Sequence, residues 1–181
     1  MNAVWCVVIG FISLLLQLGG FVSPGWMRFG SGSHTLDMGL WYGCGYGECI
    51  SYFSVDVPLV DRSAHARGLR SYLESQIEAT IGVLAVILGL ILTCTFYRKN
   101  PVDTKTARII AIICFLVSGI ASWIPAGRFA HQYSLMSQFI DVSVPYSVIL
   151  TGLGASLALF DAIVLMVMMY KANQGQAGYV V

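Results

Sequence analysis

Charge is scarce in this sequence. Only 10% of its 181 residues are Asp, Glu, Lys or Arg, while 57% are hydrophobic and the mean hydropathy is +0.76. Soluble domains carry roughly a quarter charged residues. A chain so poor in charge reads as a membrane protein, with the lipid bilayer as its first partner. The net charge of +1 leaves nothing to hold a phosphate backbone, which excludes a nucleic-acid partner. No Asn-x-Ser/Thr sequon occurs, which excludes an N-glycan. There is no internal repeat, low-complexity tract or long charge run. Catalytic groupings are missing too. No Ser-His-Asp or Cys-His cluster, phosphate-cradling glycine loop or metal-ligand spacing is present, so no enzyme, cofactor or metal is expected. His34 and His65 fall in a first outer segment and His131 in a second, and each reads as a surface residue. A pH-dependent contact would require them to cluster.

Four apolar stretches are present, at about 4–22, 81–97, 109–126 and 146–170. Each approaches the roughly 20 residues a helix needs to cross a bilayer core. Backbone groups in lipid must be satisfied internally, so these read as helices. The fold class expected is a membrane α-helical bundle of four spans in one domain. A cleaved signal peptide is the alternative for the first stretch; the lack of any Lys or Arg before Arg28 and an apolar run longer than a signal's favour a span, and cleavage would leave the sidedness of the rest unchanged.

The segment at about 98–108 carries Arg98, Lys99, Lys105 and Arg108 against Asp103. That density reads as cytoplasmic, which puts both termini inside and the segments at about 23–80 and 127–145 outside. The first outer segment is too long for a simple connection. Trp26–Phe29, Thr35–Tyr42 and Cys49–Val55 have strand-like content, broken by Gly30, Gly32 and Gly43–Gly47, and predict a small antiparallel sheet. From Asp61 to Ile77, apolar residues recur at helical spacing and lead towards the second span. The second outer segment is rich in apolar residues: Phe129, Tyr133, Leu135, Met136, Phe139 and Ile140. They pack on the first segment or on headgroups, or they meet a neighbouring protein.

The chain is organised around Gly39-Leu40-Trp41-Tyr42-Gly43-Cys44-Gly45-Tyr46-Gly47-Glu48-Cys49. The four-residue gap between Cys44 and Cys49 suits a disulfide across a hairpin. A metal site would have to recruit His34 or His65 from afar. Cys6, Cys94 and Cys114 lie in the spans and read as small buried hydrophobes.

Trp26 after the first span, then Gly39-Leu40-Trp41, then Cys44 and Cys49, in a four-span chain with a long first loop, resembles the claudin superfamily. That group includes claudins, the epithelial membrane protein and peripheral myelin protein group, and gamma-type auxiliary subunits of calcium channels and AMPA receptors. Ala121-Ser122-Trp123 at the end of the third span is also similar to claudins. The short cysteine gap is closer to the epithelial membrane protein branch. The resemblance covers about residues 1–170. It implies a left-handed four-helix bundle topped by an extracellular sheet, with Trp26 and Gly39–Trp41 anchoring the sheet near the headgroups. It further implies assembly with like molecules in cis and in trans at cell–cell junctions of the plasma membrane, forming a barrier or a selective pore. The alternatives it leaves open are an auxiliary subunit of an ion channel or receptor and a membrane organiser. Asp37, Glu48, Asp56, Asp61, Arg62, Arg67 and Arg70 are the loop charges that would set any ion preference.

Two further features stand out. Asp161 is a carboxylate well inside the fourth span, a functional candidate by position. The plainer reading is a protonated or hydrogen-bonded group facing Gln17, Thr93 or a serine. The tail, about 171–181, reads as flexible and ends Tyr179-Val180-Val181, which suits capture by a PDZ scaffold through strand addition and carboxylate binding.

Overall fold

The computed structural model describes residues 3–30, 35–45, 48–51, 62–98, 105–138, 142–143 and 145–177. The helices are α1 (Ala3–Val22), α2 (Arg62–Arg98), α3 (Lys105–Met136) and α4 (Tyr146–Ala177). The strands are β1 (Met27–Phe29), β2 (Leu36–Met38), β3 (Tyr42–Gly45), β4 (Glu48–Ser51) and β5 (Val142–Ser143). All four helices hold a window long and apolar enough to cross a membrane.

The helices are solvated inside out. Trp5, Phe11 and Leu15 on α1, Leu84 and Ile91 on α2, Ile120 on α3 and Phe160 on α4 point outwards, while Ser13, Gln17, Thr93, Ser118, Ser122, Thr151 and Asp161 are buried. A water-soluble bundle reverses this arrangement, burying its apolar stripe and exposing its polar face. The most extensive helix contacts are α2 with α3, α1 with α4, and α3 with α4, with α1 against α2 closing the ring.

Two apolar clusters fill the interior. One, deep in the bundle, holds Cys6, Val86, Phe115, Ala158 and Leu165 among others. The other holds Trp26, Met27, Leu40, Ala79, Phe129 and Val148 and lies beneath the sheet. Between them runs a polar layer centred on Gln17. Its side-chain amide donates to Ser13 Oγ at 3.2 Å and to Ser118 Oγ at 3.1 Å. Its carbonyl oxygen accepts from Ser122 Oγ at 2.8 Å. Ser13 in turn donates to the Gly154 carbonyl on α4 at 2.7 Å. The amide thus ties α1 to α3 directly and to α4 through Ser13, and is satisfied on both ends, as a buried polar group requires.

The sheet is antiparallel, in the order β4-β3-β2-β1-β5. Several elements differ from the sequence reading. β3 runs through Gly43 and Gly45, which read as a break. Pairing on both sides, with β2 and β4, offsets the low strand preference of glycine there. β5 comes from the second outer segment, where no strand is expected, and pairs with β1 through Arg28↔Ser143 and Phe29↔Val142. α2 is one helix from the outer segment through the second span. α3 runs on to Met136 despite Pro125, so residues 127–136 are helix and not loop. α4 continues through Ala177, so most of the tail is helical.

Candidate functional site

The junction of sheet and bundle gathers the residues that stand out in the sequence. Helix α1 ends with unpaired carbonyls, as every helix does. The Trp26 indole nitrogen donates to one of them, Gly20 O, at 2.8 Å. The Tyr42 hydroxyl donates to another, Val22 O. Trp26 is fully buried and stands edge-on to Phe129, with ring centroids 5.0 Å apart. Tyr72 meets the same Phe129 ring at 6.1 Å. Trp26 is therefore an interior anchor and not a headgroup-facing belt residue: no part of its ring is left to reach an interface.

Gly39, Leu40 and Trp41 form the turn between β2 and β3. The Gly39 amide donates to Tyr42 O at 2.9 Å. A Cβ on Gly39 would lie 2.9 Å from Pro24 Cα and 3.0 Å from Ser23 O, so only glycine lets the turn sit this close to the end of α1. Leu40 is fully buried, and its carbonyl accepts from Gln76 Nε2 at 2.5 Å. Trp41 stands edge-on to Phe21 of α1 at 5.0 Å. Gln76 completes the fastening from α2. In sequence it registers only as one member of a helical spacing, because its role depends on a loop 36 residues away.

Cys44 and Cys49 face each other across β3 and β4 and form a disulfide. The same face of the sheet carries the Arg28↔Asp37 pair. There the guanidinium donates twice to the carboxylate, at 2.5 and 2.7 Å. The hydrogen bonds to Asp37, and then its charge, raise the Arg28 pKa above the ordinary value. Further out, Arg128 of α3 makes a two-pronged contact with Glu78 of α2, at 3.0 and 3.1 Å, and approaches Glu74 at 3.7 Å.

These pairs change the standing of the loop charges. Asp37 is neutralised within the sheet. Glu48 is exposed on β4, with no ion pair among the described residues. Arg62, Arg67 and Arg70 belong to the first turns of α2. Asp56 and Asp61 lie outside the described residues, as do Tyr179, Val180, Val181 and His34. His131 is exposed on α3. Of the apolar residues in the second outer segment, Phe129 turns inwards onto Trp26, while Leu135 and Met136 are exposed.

Inside the bundle, Asp161 is fully buried, but the hydrogen bonds expected from the sequence are not made. Gln17 is taken up by the three serines, and the Thr93 hydroxyl donates to its own helix at Gly89 O, 2.8 Å away. Neither carboxylate oxygen has a hydrogen-bond partner among the described residues. Cys6 and Cys114 are buried as expected, whereas Cys94 is exposed on α2. Ser118, Ser122 and Gly154 contact neighbouring helices of the same chain. The gap among Gln17, Trp26, Ser122 and Thr151 is too tight to admit a water molecule. No group of three His, Cys, Asp or Glu side chains able to hold a metal occurs among the described residues.

No protein-family model matches this chain, and no curated protein is significantly similar to it.

Proposed function

We propose that the chain is a claudin-like, multi-pass protein of the plasma membrane, with both termini cytoplasmic. In this reading it assembles with copies of itself through its extracellular face at cell–cell contacts. The observation that carries the proposal is the junction itself. Trp26, Leu40 and Gln76 hold a disulfide-bonded sheet rigidly on the end of a bundle whose outward surface is apolar. Such a chain presents a fixed sheet to the space outside a membrane.

The surface of that platform supports contact with protein. Every residue of β4 is exposed, including Ile50, and Leu36 of β2 is exposed as well. Leu135 and Met136 add apolar surface on the neighbouring helix end. Exposed apolar groups on an ectodomain favour association. The Arg28–Asp37 pairing removes one candidate charge from any pore lining, which favours a barrier or adhesive role over a strongly charge-selective pore.

Expression in non-adherent cells that lack junctions tests the reading. Freeze-fracture should show intramembrane strands where two expressing cells touch. Isolated particles without strands, together with co-purification of an ion channel or receptor, would instead support an auxiliary subunit.

A further inference from the structure

Asp161 is fully buried on α4, and neither carboxyl oxygen has a hydrogen-bond partner among the described residues. Gly10 of α1 shows what surrounds it. A Cβ on Gly10 would stand 3.1 Å from Asp161 Oδ2, 2.8 Å from Leu90 Cδ2 of α2 and 3.1 Å from Phe115 Cζ of α3. The acid therefore sits where all four helices meet. Leu90 and Phe115 belong to the deep apolar cluster, as do Ala158, Ala162 and Leu165 around Asp161 on α4. Among the described residues no positive group reaches the acid. α1 offers the buried Cys6 thiol and α3 the buried Cys114 thiol, while Cys94 of α2 is exposed. A thiol cannot offset a carboxylate's charge in either of its protonation states. Arg108 lies two turns before Phe115 on α3 and makes no hydrogen bond to either oxygen.

We propose that Asp161 is an intramembrane proton-binding site, and that the bundle closes only around the protonated acid. A buried ionised carboxylate without a partner is strongly disfavoured, and such a group takes up a proton instead. The proton is the one ligand that removes the charge without a second donor or acceptor. A hard metal cation would need several more oxygen ligands, which Leu90, Phe115 and the alanines do not supply. In the unfolded protein the carboxyl group is solvated and loses its proton at about pH 4. Above that pH the folded state holds one proton more than the unfolded state. Stability therefore falls as pH rises, until the folded acid ionises as well. Ionisation leaves a bare charge at the four-helix crossing, and opening the bundle is the way to hydrate it. The site makes the packing of the helices around Gly10 depend on pH. It does not depend on the cell-contact reading.

The test is infrared spectroscopy of the full-length protein in non-ionic detergent, with aspartate isotope-labelled at the side-chain carboxyl carbon. At neutral pH the wild type should show the C=O band of a protonated carboxylic acid, shifted by the label and absent from Asp161→Asn. Denaturant-induced unfolding gives a second readout. From about pH 5 upwards, the unfolding constant of the wild type relative to Asp161→Asn should rise about tenfold per pH unit, levelling off once the folded acid ionises. A merely structural role for the side chain would leave that ratio constant. Should Asp161→Asn fail to fold, the labelled band in the wild type decides alone, because aspartates in water or in ion pairs are ionised at neutral pH. The proposal is overturned if no protonated band appears at neutral pH, if the band persists in Asp161→Asn, or if the ratio of unfolding constants does not change with pH.

Discussion

The Trp26 indole nitrogen and the Gly20 carbonyl are 2.8 Å apart, so the residue that leads into the sheet also closes the last turn of α1. Helix end and sheet start share one hydrogen bond, and Phe129 covers it. Trp26→Phe keeps an aromatic ring but loses the indole donor, leaving the Gly20 carbonyl only the longer bond from Ser23 Oγ at 3.5 Å, which costs roughly 0.5–1.5 kcal/mol. Trp26→Ala adds a cavity, for roughly 3–5 kcal/mol in all. Thermal unfolding of the detergent-solubilised protein should rank wild type, Phe, then Ala. Equal melting temperatures for wild type and Ala would remove Trp26 from the fastening.

Gln76 is the second tie. Gln76→Met preserves length and leaves the buried Leu40 carbonyl without its donor, at a cost of roughly 1–3 kcal/mol. The loss should appear as faster proteolysis of the sheet, with the helical circular dichroism unchanged.

The disulfide should stabilise the sheet and not the bundle. The closed ring is small, so losing it in Cys44→Ser/Cys49→Ser should cost about 2 kcal/mol. Under a reducing agent the wild type should fall to the stability of the double variant, and the variant should not respond.

Arg28 and Asp37 make a cross-strand pair whose sign can be tested. The raised Arg28 pKa means that its contribution is complete below the ordinary arginine value and is lost only at still higher pH. Across the neutral range the arginine side of the pair therefore adds no pH dependence. Arg28→Asp should destabilise the sheet, and adding Asp37→Arg should restore part of the loss. A double variant no better than the single one would show that the pairing contributes nothing.

Gln17 should couple to the serines of α3. In a double-mutant cycle, Gln17→Ala and Ser122→Ala should show an interaction of roughly 0.6 kcal/mol, the size typical of hydrogen bonds between helices in membranes. Strict additivity would contradict the network.

The sequence carried the bundle because apolar length is a local property: each span can be read without knowing its neighbours. Trp26, Gly39-Leu40-Trp41 and the cysteine pair were legible as a pattern. Their roles were not, because each depends on a partner distant in the chain. Gln76 meets Leu40, Phe129 meets Trp26, and β5 pairs with β1 across more than a hundred residues. β3 was hidden because glycine has poor strand preference, and only pairing on both flanks reveals it. Asp161 was legible as an odd residue, but its neighbours were not. The nearby glutamine, threonine and serines, which looked like natural partners, are occupied elsewhere. In their place the fold sets Gly10 of α1, from the other end of the chain, against the acid.

The central claim is that the sheet meets other copies of itself across a cell contact. Fluorescently tagged protein in cells without junctions tests it directly, by comparing signal at contacts between two expressing cells with signal at free membrane. The account predicts enrichment well beyond the doubling that two overlaid membranes give, and its loss in Ile50→Arg protein that still reaches the surface. Enrichment no greater than that doubling in the wild type would contradict it.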